Sequence, residues 1–116
     1  MTWGGLDQRV FPRVKARCDI WIHDRIGEAI RSQTQNLGAG GACVILNQEL
    51  EKLSRVHLRV SLEEFQSQVE CDGRIVWMVR SKEPASGKVT FDTGIEFLNL
   101  KSVDQERITS FIQSHA

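Results

Sequence analysis

The sequence has no tyrosine, no net charge and no long apolar run, and these absences narrow its possible functions. It contains 15 Lys and Arg residues against 15 Asp and Glu residues, so no whole-molecule field attracts DNA, RNA or an anionic membrane. No apolar stretch approaches the roughly 18 residues needed to cross a bilayer. The beginning, MTWGGLDQR, lacks the charged and apolar regions of a signal peptide. We therefore expect a cytoplasmic protein without membrane insertion.

Cysteine is scarce, since Cys18, Cys43 and Cys71 are the only three in the chain. Their number is odd, their spacing is wide and no C-x-x-C pattern occurs, which argues against a disulfide framework and against a zinc site. A reduced cysteine behaves as a small buried hydrophobe. We therefore expect three reduced core cysteines and no metal.

Catalytic patterns are also missing. The histidines His23, His57 and His115 are far apart, and two of them fall on the polar phase of predicted strands. The paired carboxylates Glu63 and Glu64 stand at a strand end with no apolar pocket implied around them. No nucleophile, base and orienting group are brought together by the sequence. We predict no catalytic residue, no cofactor and no enzymatic activity.

What the sequence does contain is alternation of apolar and polar residues, which is typical of strands with one buried face. The clearest such segments are 14–23, 56–62, 69–79 and 89–97, and weaker ones are 28–35 and 42–46. Within 69–79, Gly73 is expected to mark a bulge or bend. On this phase Trp77 and Phe91 belong to the core, whereas Trp21 falls on the polar side of its strand.

The end of the chain changes to a helical period. Ser102 and Gln105 have the spacing of a capping box, and a helix from about 103 to 114 is predicted. Its apolar residues need a surface to cover. Six short antiparallel strands followed by one helix predict a mainly β protein, a six-stranded antiparallel β-barrel with a C-terminal α-helix.

Two short segments have binding chemistry. Arg9 and Arg13 flank Val-Phe-Pro just before the first strand, and guanidinium groups both bond phosphate oxygens and stack on planar rings. Downstream, the segment 36–41 reads NLGAGG, in which Asn36 offers a donor and an acceptor and the glycines permit close backbone approach. On residue chemistry alone, ordinary flanking charges and an unliganded glycine-rich hairpin are the favoured interpretations of the two segments.

The two segments together, in this order on a barrel framework, resemble the PilZ domain family of bacterial cyclic di-GMP receptors. The family motif R-x-x-x-R is matched by Arg9 and Arg13, and the motif [D/N]-x-S-x-x-G is matched by 36–41 except at Gly38. Two further stretches, GRIVW at 73–77 and GIEFL at 94–98, are similar to the family as well. The resemblance extends from about residue 8 to residue 112 and implies the same barrel and helix.

The resemblance implies a role for each matched residue. Arg9 and Arg13 would contact phosphates and stack on guanine, Asn36 would bond a guanine edge, and Gly41 would keep its loop open for the ligand. Gly38 replaces the usual serine and lacks its hydroxyl, which is expected to lower the affinity. Many members have another arginine at the position of Gln8, and that arginine favours capture of a stacked ligand dimer. With Gln8 there, we expect one ligand molecule per domain.

We expect residues 1–8 to be a flexible segment and residues 9–116 to form a single domain. The leading hypothesis is a cyclic di-GMP receptor that signals to an effector protein, through ordering of its N-terminal arm and through protein contacts. The alternative is a degenerate PilZ-like interaction module that does not bind the nucleotide. A single-stranded nucleic-acid binder is a third hypothesis, and the balanced charge and lack of tyrosine argue against it. We expect no DNA or RNA partner.

Overall fold

The computed structural model describes residues 13–24, 27, 29–62 and 67–115. These residues form seven strands and one helix, α1 (Ser102–His115). The strands are β1 (Arg13–Val14), β2 (Asp19–His23), β3 (Ala29–Gly38), β4 (Gly41–Leu46), β5 (Arg55–Leu62), β6 (Ser67–Lys82) and β7 (Val89–Leu98).

The six longer strands close into a barrel. They follow the order β3-β2-β5-β6-β7-β4, every pair is antiparallel, and a β3–β4 pairing joins the two ends. The two-residue strand β1 adds to β3. The predicted six-stranded antiparallel barrel with a C-terminal helix is therefore confirmed. Among the described residues, no helix is long and apolar enough to span a membrane.

The core fills the barrel because apolar residues alternate along the strands. In β2 and β5 every second side chain is buried, as the sequence predicted. Helix α1 packs beside β1 and β3 and buries the apolar side chains Ile108, Phe111 and Ile112. Two of the three cysteines, Cys18 and Cys71, are buried, and all three are reduced thiols.

The predicted continuous strand 14–23 is wrong, because residues 15–18 leave the sheet. Both β1 and β2 pair with β3, but their registers differ by one residue. The buried hydroxyl of Thr34 fills this irregularity, since it donates to the Ala16 carbonyl and accepts from the Cys18 amide at 2.9 Å. Thr34 thereby ties β1 to β2 across β3.

Strand β6 also departs from the predicted phase. Its bulge lies between Ile75 and Trp77, and Gly73 is regularly paired with Val56 and Phe97. A Cβ atom on Gly73 would come within 2.6 Å of a Leu58 methyl carbon, so this glycine serves close packing.

The bulge turns the residues that follow it to the other face of the sheet. Met78 therefore packs against the core, Val79 is 53% exposed and Trp77 points outward. The prediction that Trp77 belongs to the core is wrong for this reason. Phe91, which was also predicted in the core, is half-buried.

Candidate functional site

The R-x-x-x-R motif and the motif at 36–41 meet where β1 pairs with β3. Arg13 is the register partner of Gly38, so the last residue of the first motif lies directly beside the centre of the second. Arg9 lies outside the described residues. The structure therefore brings Arg13 next to Gly38 through backbone pairing alone.

The second motif is mostly strand, whereas the sequence predicted a loop. Asn36 and Gly38 belong to β3, Gly41 begins β4, and only Ala39 and Gly40 form the turn between them. The Gly40 carbonyl accepts a hydrogen bond from the Phe97 amide at 2.9 Å, which holds the turn against the end of β7. The motif is thus a rigid hairpin end fixed to the barrel.

Asn36 has a buried polar atom that no described residue satisfies. A register shift between Thr34 and Asn36 precedes it in β3, and its Oδ1 atom is buried with no hydrogen bond to any residue that the structure describes. An unsatisfied buried acceptor costs roughly 1–3 kcal/mol, and such atoms are rare in folded proteins. A ligand that donates a hydrogen bond here would remove that cost.

A lateral row of residues on the outer surface extends from Asn36 across four strands. Asn36 pairs with Cys43, Cys43 with Gly94, and Gly94 with Trp77. Their strand neighbours Leu37, Ala42 and Ile95 are fully buried in the core. Because successive residues of a strand point to opposite faces, the row itself faces outward. We call these four residues the Asn36–Trp77 row.

Trp77 forms the far end of the Asn36–Trp77 row and packs on Gly94. A Cβ atom on Gly94 would lie 2.2 Å from the indole Nε1, so only glycine lets the ring lie this close to β7. The half-buried indole is an apolar platform on the barrel wall. Sequence reasoning missed it, although the unbroken apolar run IVWMV at 75–79 signals that the alternation fails there.

Two charged residues lie beside the Asn36–Trp77 row, on the strands that follow Gly41 across the sheet. Gly41 pairs with Glu96, and Glu96 pairs with Arg74. One carboxylate and one guanidinium therefore neighbour the row, and the motif residue Arg13 lies at its Asn36 end.

Within the described part of the chain, no group of three His, Cys, Asp or Glu side chains could hold a metal ion. His23 is half-buried and His57 is exposed, and their ring centroids are 6.3 Å apart. Burial, followed by the charges of Asp72 and Asp104, raises the pKa of the Cys71 thiol to about 12, so this sulfur is protonated at neutral pH.

Comparison with solved structures shows the fold. The PilZ domain of Escherichia coli YcgR with c-di-GMP has a TM-score of 0.74 at 16% identity, covering 90% of this chain and 88% of that one. The Bacillus subtilis inhibitor of motility (MotI/DgrA) has a TM-score of 0.74 at 23% identity, over 90% of this chain and 49% of that one.

The Klebsiella pneumoniae MrkH–c-di-GMP complex also has a TM-score of 0.74, at 15% identity, over 90% of this chain and 49% of that one. The chain thus spans about half the length of the Bacillus and Klebsiella proteins.

A search of curated proteins found no match. The sequence model of the PilZ domain matches residues 7–114, which is nearly the whole chain and includes both motifs. With the barrel, the terminal helix and the paired motifs in place, the chain belongs to the PilZ domain family.

Proposed function

We propose that this chain is a cyclic di-GMP receptor that binds the nucleotide where β1 meets β3 and passes the signal on through protein contacts. The observation that carries the proposal is the register of β1 on β3, which places Arg13 beside Gly38 and two residues from Asn36 in the strand. Arg9, Arg13, Asn36, Gly38 and Gly41 are the proposed ligand-binding residues.

The chemistry of the surface suits this ligand. Cyclic di-GMP has two phosphate charges and two guanine rings, and arginine both pairs with phosphate and stacks on planar rings. The Oδ1 atom of Asn36, which has no hydrogen-bond partner in the described part of the chain, is an acceptor for the N–H groups of a guanine edge. Trp77, at the other end of the Asn36–Trp77 row, offers an aromatic face for a base.

The signal is proposed to arise from ordering of the arm that precedes β1. Arg9 lies four residues before Arg13, and four extended residues reach about 14 Å at most. The arm is therefore anchored beside the site, and Arg9 closes over a nucleotide bound there. Such a disorder-to-order change gives an effector protein a different surface to recognise.

Isothermal titration calorimetry with cyclic di-GMP tests the proposal. We expect saturable heat with the wild-type chain at tens of micromolar protein, and loss of most of that heat in Arg9→Ala and in Arg13→Ala. Arg31→Ala, which removes an exposed arginine from the opposite end of β3, is the matched control and should bind as the wild type does. Absence of heat in the wild-type chain would refute the receptor proposal.

One observation favours the alternative of an interaction module that does not bind cyclic di-GMP. Gly38 has no side chain at the position next to Arg13, so the site lacks the hydroxyl that the family usually places there. The same titration separates the two functions, because the alternative predicts no heat for any variant.

A further inference from the structure

A tryptophan between two arginines lies on another part of the barrel wall. Trp21 in β2 is the register partner of Arg31 in β3 and of Arg59 in β5. The Arg59 guanidinium carbon lies 4.9 Å from the centroid of the Trp21 ring, and that of Arg31 lies 5.5 Å away. We call these three residues the Trp21 cluster.

The two arginines of the Trp21 cluster differ in their charge partners. Arg31 is 67% exposed and pairs with Asp19 at 3.2 Å. Arg59 is half-buried, and among the described residues no carboxylate forms an ion pair with it, although Glu70 is its register partner in β6. Its Nε atom is buried and has no hydrogen-bond partner among the described residues. One N–H group of Arg59 is therefore withdrawn from water without an acceptor in the described part of the chain.

The Trp21 cluster and the Asn36–Trp77 row are centred on opposite sides of the barrel, although each includes one residue of β3, Arg31 and Asn36. In the closed order β3-β2-β5-β6-β7-β4, strand β2 is three strands away from β7 in either direction. Trp21 lies on β2, and Gly94, against which Trp77 packs, lies on β7. The centres of the two surfaces, Trp21 and Gly94, therefore lie on opposite sides of the barrel.

We propose that the Trp21 cluster is a docking surface for a protein segment that presents a carboxylate next to an apolar or aromatic side chain. The carboxylate would pair with Arg59 and accept from its Nε, while the neighbouring side chain packs on the Trp21 ring. Tryptophan and arginine are the residues that most often dominate the energy of protein interfaces. The inference rests on the proposed function, because it supplies the output surface of the receptor.

The charges around the cluster favour protein over nucleic acid. Asp19, Glu70 and Asp72 lie on the same outer surface of β2 and β6. Asp19 pairs with Arg31 and Asp72 with Arg55, each at 3.2 Å, so the described part of this surface presents no run of unpaired cations along which a phosphodiester chain could bind. A single carboxylate needs only one cation, which Arg59 supplies. The occupant is therefore a short acidic and apolar segment, and a polyanion is disfavoured.

The experiment is selection of a random dodecapeptide library, displayed on phage, against the wild-type protein. Selected peptides are then synthesised and their affinities measured for wild type, Trp21→Ala, Arg59→Gln and the control Arg80→Gln. Arg80 is an exposed arginine near the end of β6, so its replacement removes the same charge elsewhere. Amide NMR spectra of each variant establish that the barrel is intact.

We expect peptides with Asp or Glu beside an apolar residue, and at least about tenfold weaker binding to Trp21→Ala and to Arg59→Gln but unchanged binding to Arg80→Gln. No enrichment, or peptides that bind Arg59→Gln as tightly as wild type, would overturn the proposal. An oligothymidine probe that binds in a gel shift and is lost in Arg59→Gln would overturn it in favour of nucleic acid.

The same variants distinguish this inference from the proposed function. Trp21→Ala and Arg59→Gln should bind cyclic di-GMP with the wild-type affinity in calorimetry. Peptide binding in a wild-type protein that gives no heat with cyclic di-GMP would refute the receptor function and leave the docking surface standing. Heat with the nucleotide but no peptide enrichment would refute the docking surface and leave the receptor function standing.

Discussion

At the scale of single residues, Asn36 and Gly38 together determine how well the proposed site can hold a nucleotide. Asn36 supplies a buried acceptor that no described residue pairs with, and Gly38 supplies only backbone. Both lie in a regular strand and, two residues apart, share its outward phase. A side chain at position 38 would therefore face the same surface as Asn36.

Gly38→Ser is predicted to strengthen cyclic di-GMP binding. The serine hydroxyl would add a hydrogen bond to a charged group, which is worth roughly 1.5–3 kcal/mol, or about tenfold or more in affinity. Gly38 lies in β3, where an L-residue adopts the backbone without strain. Calorimetry measures the gain, and Gly38→Ala, which adds a Cβ atom alone, is the control. Equal affinities for the serine and alanine variants would show that no such hydrogen bond forms.

Cys71 is predicted to make stability fall at alkaline pH. Burial, then the charges of Asp72 and Asp104, raises its pKa from 9.0 to about 12. Above pH 9.0 the unfolded chain loses this proton while the folded chain retains it, so the free energy of unfolding decreases as pH rises through that interval. Urea unfolding at a series of pH values under reducing conditions measures the slope.

The variant that tests that slope is Cys71→Ala, which removes the buried thiol. It should show a shallower alkaline decline than wild type. An unchanged slope in Cys71→Ala would contradict the raised pKa.

At the scale of strands and helix, the sequence predicted the elements better than their irregularities. All six long strands and α1 were anticipated, because alternation and a capping box are local signals. The register shift between β1 and β2 was not, because it depends on the Thr34 hydroxyl, which arrives from a different strand. A contact between distant parts of the chain does not change the alternation of apolar and polar residues, so it cannot be predicted from that alternation.

The bulge in β6 was misplaced for a related reason. Gly73 is the conspicuous residue of that strand, but its close packing against Leu58 is a tertiary requirement. The true shift, between Ile75 and Trp77, lies within an apolar run where both faces look alike. The position of Trp77, and with it one end of the proposed site, therefore could not be derived from alternation.

Thr34→Val is predicted to destabilise the protein and weaken the site together. The substitution keeps the shape of the buried side chain but leaves the Cys18 amide and the Ala16 carbonyl without their hydroxyl partner. The expected loss is about 1–3 kcal/mol in the free energy of unfolding, measured by urea titration. Because Thr34 ties β1 to β2, cyclic di-GMP binding should also weaken in calorimetry.

Thr34→Ser is the control for that prediction, since it retains the hydroxyl and removes one methyl group. It should bind cyclic di-GMP as tightly as wild type, at a stability cost of about 1 kcal/mol. A valine variant as stable as the serine variant would show that the hydroxyl does not hold β1 in place.

At the scale of the whole molecule, the barrel carries two outer surfaces that are centred on opposite sides of it. One carries the Asn36–Trp77 row next to β1, and the other carries the Trp21 cluster on β2 and its neighbours. The family motifs allowed the Asn36 end of the first surface to be predicted from sequence, but not its Trp77 end. The second required the cross-strand registers, since Trp21, Arg31 and Arg59 are far apart in the chain.

The central claim is that cyclic di-GMP binds at the junction of β1 and β3 and along the Asn36–Trp77 row. Titration of the isotope-labelled protein with cyclic di-GMP, followed by NMR, tests it directly. We predict shifts of the Asn36 side-chain amide, the Gly38 and Gly41 backbone amides and the Trp77 indole N–H, with the Trp21 indole N–H unmoved. A spectrum that does not change, or one whose shifts are confined to Trp21 and its neighbours, would contradict the account.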